Sequence, residues 1–168
     1  MYGTYTDYVA LFGDGGLKEV DYRRHDLKAD RLMDAYTTTI DGVKKLKEHY
    51  PTNAEDAELV SLCHCEIVNL LWQIQVAENA AQDLRGVVVT DAGVHGKAIN
   101  SMSAGNESVS FGSASGSSTT AIDKAVADKA EQKRQIAELV RTFLSSVPDS
   151  NGVNLLYAGR YPVCSGTS

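Results

Sequence analysis

The sequence predicts a mainly α fold, a small bundle of three to four helices with one inserted β-hairpin and an extended C-terminal tail. Three observations predict it. Apolar residues recur at spacings of three and four over several long segments, the mark of helices with one buried face. One segment, residues 99–111, alternates instead with a period of two around a Gly-Asn turn. Pro148 stops the last helical pattern, and an apolar, aromatic run follows it. Residues 1–147 therefore read as the bundle, with the hairpin inserted at about 98–111, and residues 148–168 as a tail.

The first element spans residues 4–12. Thr4 and Asp7 form a cap pair, Tyr5, Tyr8, Val9 and Phe12 follow at helical spacing, and Gly13-Asp14-Gly15-Gly16 ends it. A second helix covers residues 21–37, with Tyr22, Ala29, Leu32, Met33 and Tyr36 on one face and His25 at its edge. Arg23, Arg24, Lys28 and Arg31 make its other side basic. A shorter turn lies within residues 41–49, where Val43, Leu46 and Tyr50 are suitably spaced.

Asn53 caps a third helix over residues 54–82, with Glu55, Asp56 and Glu58 complementing its positive end. Leu59, Leu62, Cys63, Ile67, Leu70, Ile74, Ala77 and Ala81 form its apolar stripe, and Val60, Leu71 and Trp72 widen it to two covered sides. At about 1.5 Å per residue the helix is roughly 40 Å long. Six acidic residues and no Lys or Arg lie between Ala54 and Asp83, so one exposed strip is strongly negative.

Residues 84–98, with Gly86, Gly93 and Gly96, read as irregular. In the hairpin, Glu107, Val109 and Phe111 alternate with Ser108 and Ser110, and a lone ribbon of this kind needs something to lean on. Residues 112–119 are a Gly/Ser linker. Thr120 and Asp123 cap the last helix, residues 121–147, whose inward positions are Ile122, Val126, Ala130, Ile136, Leu139, Val140, Phe143, Leu144 and Val147.

The composition, 43% hydrophobic and 23% charged, is ordinary for a globular chain of 168 residues. No apolar run approaches the ~18 residues of a membrane span, and the first residues have neither the basic nor the apolar region of a signal peptide. The expected setting is a reducing cytoplasm, or a particle assembled there. The net charge of −6 argues against sequence-specific nucleic-acid binding, which needs Lys and Arg against phosphate, but an acidic wall past which DNA slides is compatible with it.

Motifs for chemistry are sparse. Cys63-His64-Cys65-Glu66 suggests a metal cluster, but on a helix the two thiols lie about 200° apart and do not converge on one ion. With Cys164 the thiols are odd in number and give no disulfide framework. Gly112-Ser-Ala-Ser-Gly116 has Ala114 where a nucleophile elbow needs Ser. His25, His49, His64 and His95 are scattered, and there is no phosphate loop. No catalytic residue, metal set or cofactor is expected, and the protein reads as a non-enzyme. The basic side of the second helix has the residues to touch phosphate, but reads more simply as a solvated face or as one that pairs with a neighbour's acidic helix. Leu155, Leu156, Tyr157, Arg160 and Tyr161 are either a tail docked on its own core or one that grips a partner.

Taken in order, several segments resemble a family. They are Thr4-Tyr-Thr-Asp-Tyr8, Ala29-Asp-Arg-Leu-Met-Asp-Ala-Tyr-Thr37, Leu62-Cys-His-Cys-Glu66, Gly96-Lys-Ala-Ile-Asn-Ser-Met-Ser-Ala-Gly-Asn-Glu-Ser-Val-Ser-Phe111 and Gly152-Val-Asn-Leu-Leu-Tyr157. The succession resembles the head–tail connector (adaptor, or head-completion) proteins of tailed bacteriophages. The resemblance implies a non-catalytic virion protein of the neck, assembled in the host cytoplasm. It forms a homo-oligomeric ring, usually of twelve subunits, beneath the portal protein. The ring joins the filled head to the tail, continues the DNA channel without reading sequence, and offers a platform to a stopper or tail-completion protein. No membrane is involved.

The resemblance also implies roles for residues. Leu155, Leu156, Tyr157, Arg160 and Tyr161 match a portal-binding tail, whose deletion would leave a folded protein unable to join heads to tails. Met102, Asn106, Glu107, Val109 and Phe111 belong to a hairpin that contacts a neighbouring subunit or a tail-side protein. Arg23, Arg24, Lys28 and Arg31 would meet Glu55, Asp56 and Glu58 of the next subunit in the ring. The alternative is a tail-completion protein or another helical, non-enzymatic virion module.

Overall fold

Thr4 fixes where the first helix begins in the computed structural model of the chain, which describes residues 2–84, 87–90, 93–96, 101–104, 107–110 and 128–162. Its hydroxyl accepts from the Asp7 N–H at 3.2 Å, and the Asp7 carboxylate accepts from the Thr4 N–H at 2.8 Å, a reciprocal capping box. Helix α1 runs Tyr5–Phe12 and ends at Gly13, whose φ of 80° suits a residue without Cβ. Helix α2 follows at Glu19–Thr37, two residues earlier than its buried apolar face suggests, because its first two residues, Glu19 and Val20, are exposed. The short α3 is Lys45–Glu48, and α4 is Ala54–Leu84. Asn53 caps α4, its side-chain oxygen accepting from the Glu55 N–H at 3.3 Å. Helix α5 is Lys129–Leu144; the expected start of this helix, with Ile122, Val126 and the Thr120–Asp123 cap, lies outside the described residues, as do Ala81's side chain and the 112–119 linker.

The chain is mainly α, and it divides into two units, residues 1–72 with 130–168, and residues 73–129. The core of the first unit follows the helical faces. Helix α2 contributes Tyr22, Ala29 and Met33, α4 contributes Val60, Cys63, Cys65, Ile67, Val68 and Leu71, and α5 contributes Ile136, Val140 and Leu144. Tyr2, Tyr8, Leu17, Leu46, Val147 and Leu155 complete it. Polar anchors set how the helices meet. The Tyr8 hydroxyl donates to Asn69 Oδ1 at 3.1 Å, tying α1 to α4, and the Tyr36 hydroxyl donates to the Lys133 carbonyl at 3.2 Å, tying α2 to α5. Several expected positions differ: on α4, Leu59, Leu62 and Leu70 of the expected stripe are half-buried, while Cys65 and Val68, outside it, are fully buried. Ala130, expected inward, is exposed in the first turn of α5, and His25, expected at an edge, is buried.

Helix α4 is long and apolar enough over Ala54–Ala80 to cross a membrane by length and composition, with a mean hydropathy of 1.3. It reaches this on its average composition, not through an uninterrupted apolar run, since polar residues recur along it. Val60, Cys63, Cys65, Ile67, Val68 and Leu71 of this helix are core residues, and 44% of its most apolar window is buried in the bundle.

The tail does not extend away. Val147 and Leu155 are both fully buried, the Leu155 N–H donates to the Val147 carbonyl at 2.9 Å, and Pro148 bridges Asn154. The turn between them closes on Asp149, which accepts from the Asn151 and Val153 N–H groups at 2.8 and 2.9 Å. Residues 148–162 therefore belong to the bundle, and the boundary expected at 147/148 is not a structural one.

The second unit carries two antiparallel ribbons. Strands β3 (Ser101–Ala104) and β4 (Glu107–Ser110) form the expected hairpin, with Met102 opposite Val109 and Ala104 opposite Glu107. Strands β1 (Val87–Thr90) and β2 (Gly93–Gly96) form another, where the sequence reads as irregular. The correction has a physical basis: Val87-Val88-Val89-Thr90 is a β-branched run without alternation, and the two-residue connection before Gly93 lacks the usual Asn-Gly signal.

Candidate functional site

The residues expected to make ring contacts all lie on the surface of the first unit. Arg23, Arg24, Lys28 and Arg31 are exposed along α2, Glu55 and Glu58 are exposed at the start of α4, and Asp56 is half-buried. Arg23 has one partner on its own helix, Glu19 at 3.5 Å, a solvated pair that contributes little. The same stripe of α2 carries Val20, 84% exposed, and Leu27, 61% exposed. Positions 20, 23, 24, 27, 28 and 31 are successive helical neighbours, so two large apolar side chains and four cations share one outward face.

The five tail residues are split by the fold. Leu155 is in the core and Leu156 is packed against it, so neither is an outward anchor. Tyr161 stacks on His49 with ring centroids 4.8 Å apart, and its hydroxyl donates to Asp149 at 2.6 Å. Lys45, buried, donates from Nζ to the Asn154 and Tyr157 carbonyls and holds the segment from within. Burial pulls this lysine below the usual ammonium range, against the opposing field of Asp149. Only Tyr157, 48% exposed, and Arg160 face outward, beside Ile40, whose N–H donates to the Ala158 carbonyl at 3.1 Å. Of the hairpin residues, Met102, Glu107 and Val109 are placed by strand register, while Asn106 and Phe111 lie outside the described residues.

A buried polar cluster lies in the first unit, and the sequence reading does not anticipate it. Asp26 and Asp30 are one turn apart on α2, and His64 projects to them from α4. His64 Nε2 is 3.2 Å from Asp26 Oδ1 and 3.3 Å from Asp30 Oδ1. Asp26 and His64 are fully buried, and Asp30 retains 17% side-chain exposure. Neither carboxylate oxygen of Asp26 and neither ring nitrogen of His64 makes an aligned hydrogen bond, and the Tyr22 hydroxyl, one turn before Asp26, is likewise unpartnered. Burial raises the Asp26 carboxyl above its ordinary range, with His64 pulling the other way.

Neighbouring groups shape the cluster. Asp30 accepts from the Tyr2 N–H at 3.3 Å, and Asp34, another turn along, accepts from the Tyr2 hydroxyl and pairs with Lys47 at 2.8 Å. Gly3 passes so close that a Cβ there would come within 2.8 Å of His64 Nδ1 and 3.2 Å of Cys65 Sγ. Cys63 and Cys65 are free and buried, with thiols pushed up by burial to about 12 and about 11, so neither supplies a thiolate. Thus the middle residue of Cys63-His64-Cys65 joins a polar cluster, with carboxylates of another helix rather than with its neighbours. The available signal was Asp26 and Asp30 at i, i+4, on the turns that also bury Tyr22, Ala29 and Met33.

Comparison with known protein families, with characterised proteins and with solved structures gives no match to this chain.

Proposed function

We propose that the protein is a structural connector of a tailed-phage virion, forming a ring beneath the portal that joins the head to the tail and continues the DNA channel. The observation that carries this reading is the outward face of α2, where Val20 and Leu27 stand exposed among Arg23, Arg24, Lys28 and Arg31. Apolar side chains framed by arginines suit a protein–protein contact better than a solvated helix face. The same unit presents Glu55 and Glu58 elsewhere. A basic-apolar patch and a separate acidic patch on one chain favour heterologous contact, which closes into a ring when the rotation permits. The order of motifs along the chain resembles that of proteins whose partner is the portal, and Tyr157 and Arg160, beside Ile40, are the two of the five expected tail residues that face outward to meet it.

Electron microscopy of the purified protein mixed with portal tests the reading. The expected result is a co-axial ring added below the portal. Binding to tail tube with no binding to portal would replace the connector reading with that of a tail-completion protein.

A further inference from the structure

We infer that Asp26, Asp30 and His64 form a binding site for one divalent transition-metal cation of the Zn2+ class, which ties α2 to α4. Three lone-pair-bearing atoms, one from each residue, lie within 4.8 Å of one another. The charge of the N-terminal ammonium bears on both carboxylates, yet the buried oxygens of Asp26 and both ring nitrogens of His64 have no hydrogen-bond partner, and a cation among them would fill that gap. A proton on His64 is poorly placed for that role, because Nε2 approaches both carboxylates to 3.2 and 3.3 Å without aligning a hydrogen bond on either. It would also leave a fully buried Asp26 with no hydrogen-bond donor, a costly arrangement.

A divalent ion resolves both problems. Tetrahedral coordination with bonds of about 2.0 Å sets neighbouring ligand atoms roughly 3.3 Å apart, which is the spacing observed from His64 to each aspartate. One nitrogen and two oxygens suit Zn2+ and its neighbours better than Mg2+, which prefers oxygen and water. The Tyr2 N–H on Asp30 is the kind of outer contact that orients a ligating carboxylate. The site is structural in character: it is buried and it joins two helices.

The test uses the full chain carrying Cys164→Ser, stripped with chelator and titrated with ZnSO4. Calorimetry is expected to give one Zn2+ per chain, and the thermal midpoint to rise with Zn2+ but not with equal Mg2+. Asp26→Asn and Asp30→Asn keep side-chain size and are each expected to weaken Zn2+ binding at least about tenfold. Should either variant fail to fold, Co2+ loading of the parent chain decides. Tetrahedral d–d absorption without a thiolate charge-transfer band supports the site. Absence of stoichiometric binding by the folded parent, a thiolate band, or unchanged affinity in folded asparagine variants overturns it.

Discussion

Asp7 works through its charge at the start of α1. Its carboxylate accepts from the Thr4 hydroxyl at 2.7 Å and the Thr4 N–H at 2.8 Å, and these bonds hold its pKa below the ordinary 3.8. A carboxyl depressed in the folded state contributes stability that is fully present above 3.8 and is lost as pH falls through the lower folded value. Comparing the parent with Asp7→Asn by urea unfolding at stepped pH should therefore show a constant gap above about pH 5 that closes in the acid range. A gap that persists unchanged to about pH 2 would mean that ionisation of Asp7 is not what the cap uses. The buried cluster makes the opposite use of charge. Asp26 is desolvated with no hydrogen-bond donor of its own, so no backbone amide compensates its charge.

At the scale of elements, the tail is the clearest departure from the sequence reading. Leu155 is fully buried and Lys45 anchors the carbonyls on either side of it, so the segment after Pro148 is part of the bundle. Leu155→Ala is expected to cost roughly 2–5 kcal/mol, as removal of a buried leucine side chain does, and to lower the thermal midpoint by several degrees. Deleting residues 155–168 should destabilise the fold further, instead of leaving an intact protein that merely lacks a docking segment. A truncated chain that melts with the parent would restore the docking-tail view. Local signals were legible. The Thr4–Asp7 and Asn53 caps, the buried face of α2, the Cys63, Ile67 and Ile74 positions of α4, and the β3–β4 pairing all follow from neighbours within a turn or a strand pair. The tail and the buried cluster depend on distant partners, with Leu155 against helices and Lys45 over a hundred residues away in sequence, and His64 against Asp26 and Asp30. No local period encodes such a meeting, and an aspartate pair at i, i+4 looks like any solvated helix face until the opposing helix is known.

At the scale of the whole molecule, charge is segregated more than its total reveals. The chain carries −6, yet α2 displays four cations on one face while α4 begins with Glu55, Asp56 and Glu58. In a ring of identical subunits every chain offers both patches, so one mutation set alters every interface at once. Arg23→Glu with Arg24→Glu should leave the monomer folded, since exposed substitutions away from the core shift stability by only about 0.5 kcal/mol. It should abolish ring formation on the portal. Adding Glu55→Arg and Glu58→Arg to the same chain re-creates opposite charges across the contact with the signs exchanged, and is expected to recover part of the ring yield. Raising ionic strength from about 0.1 M to 1 M shrinks the screening length from about 10 Å to 3 Å, and should weaken assembly of the parent and of the exchanged chain alike. Ring counts by electron microscopy on portal-bound particles read all four conditions. Parent-level assembly by the Arg→Glu chain at low salt would remove α2 from the interface and leave Val20 and Leu27 without the role assigned to them.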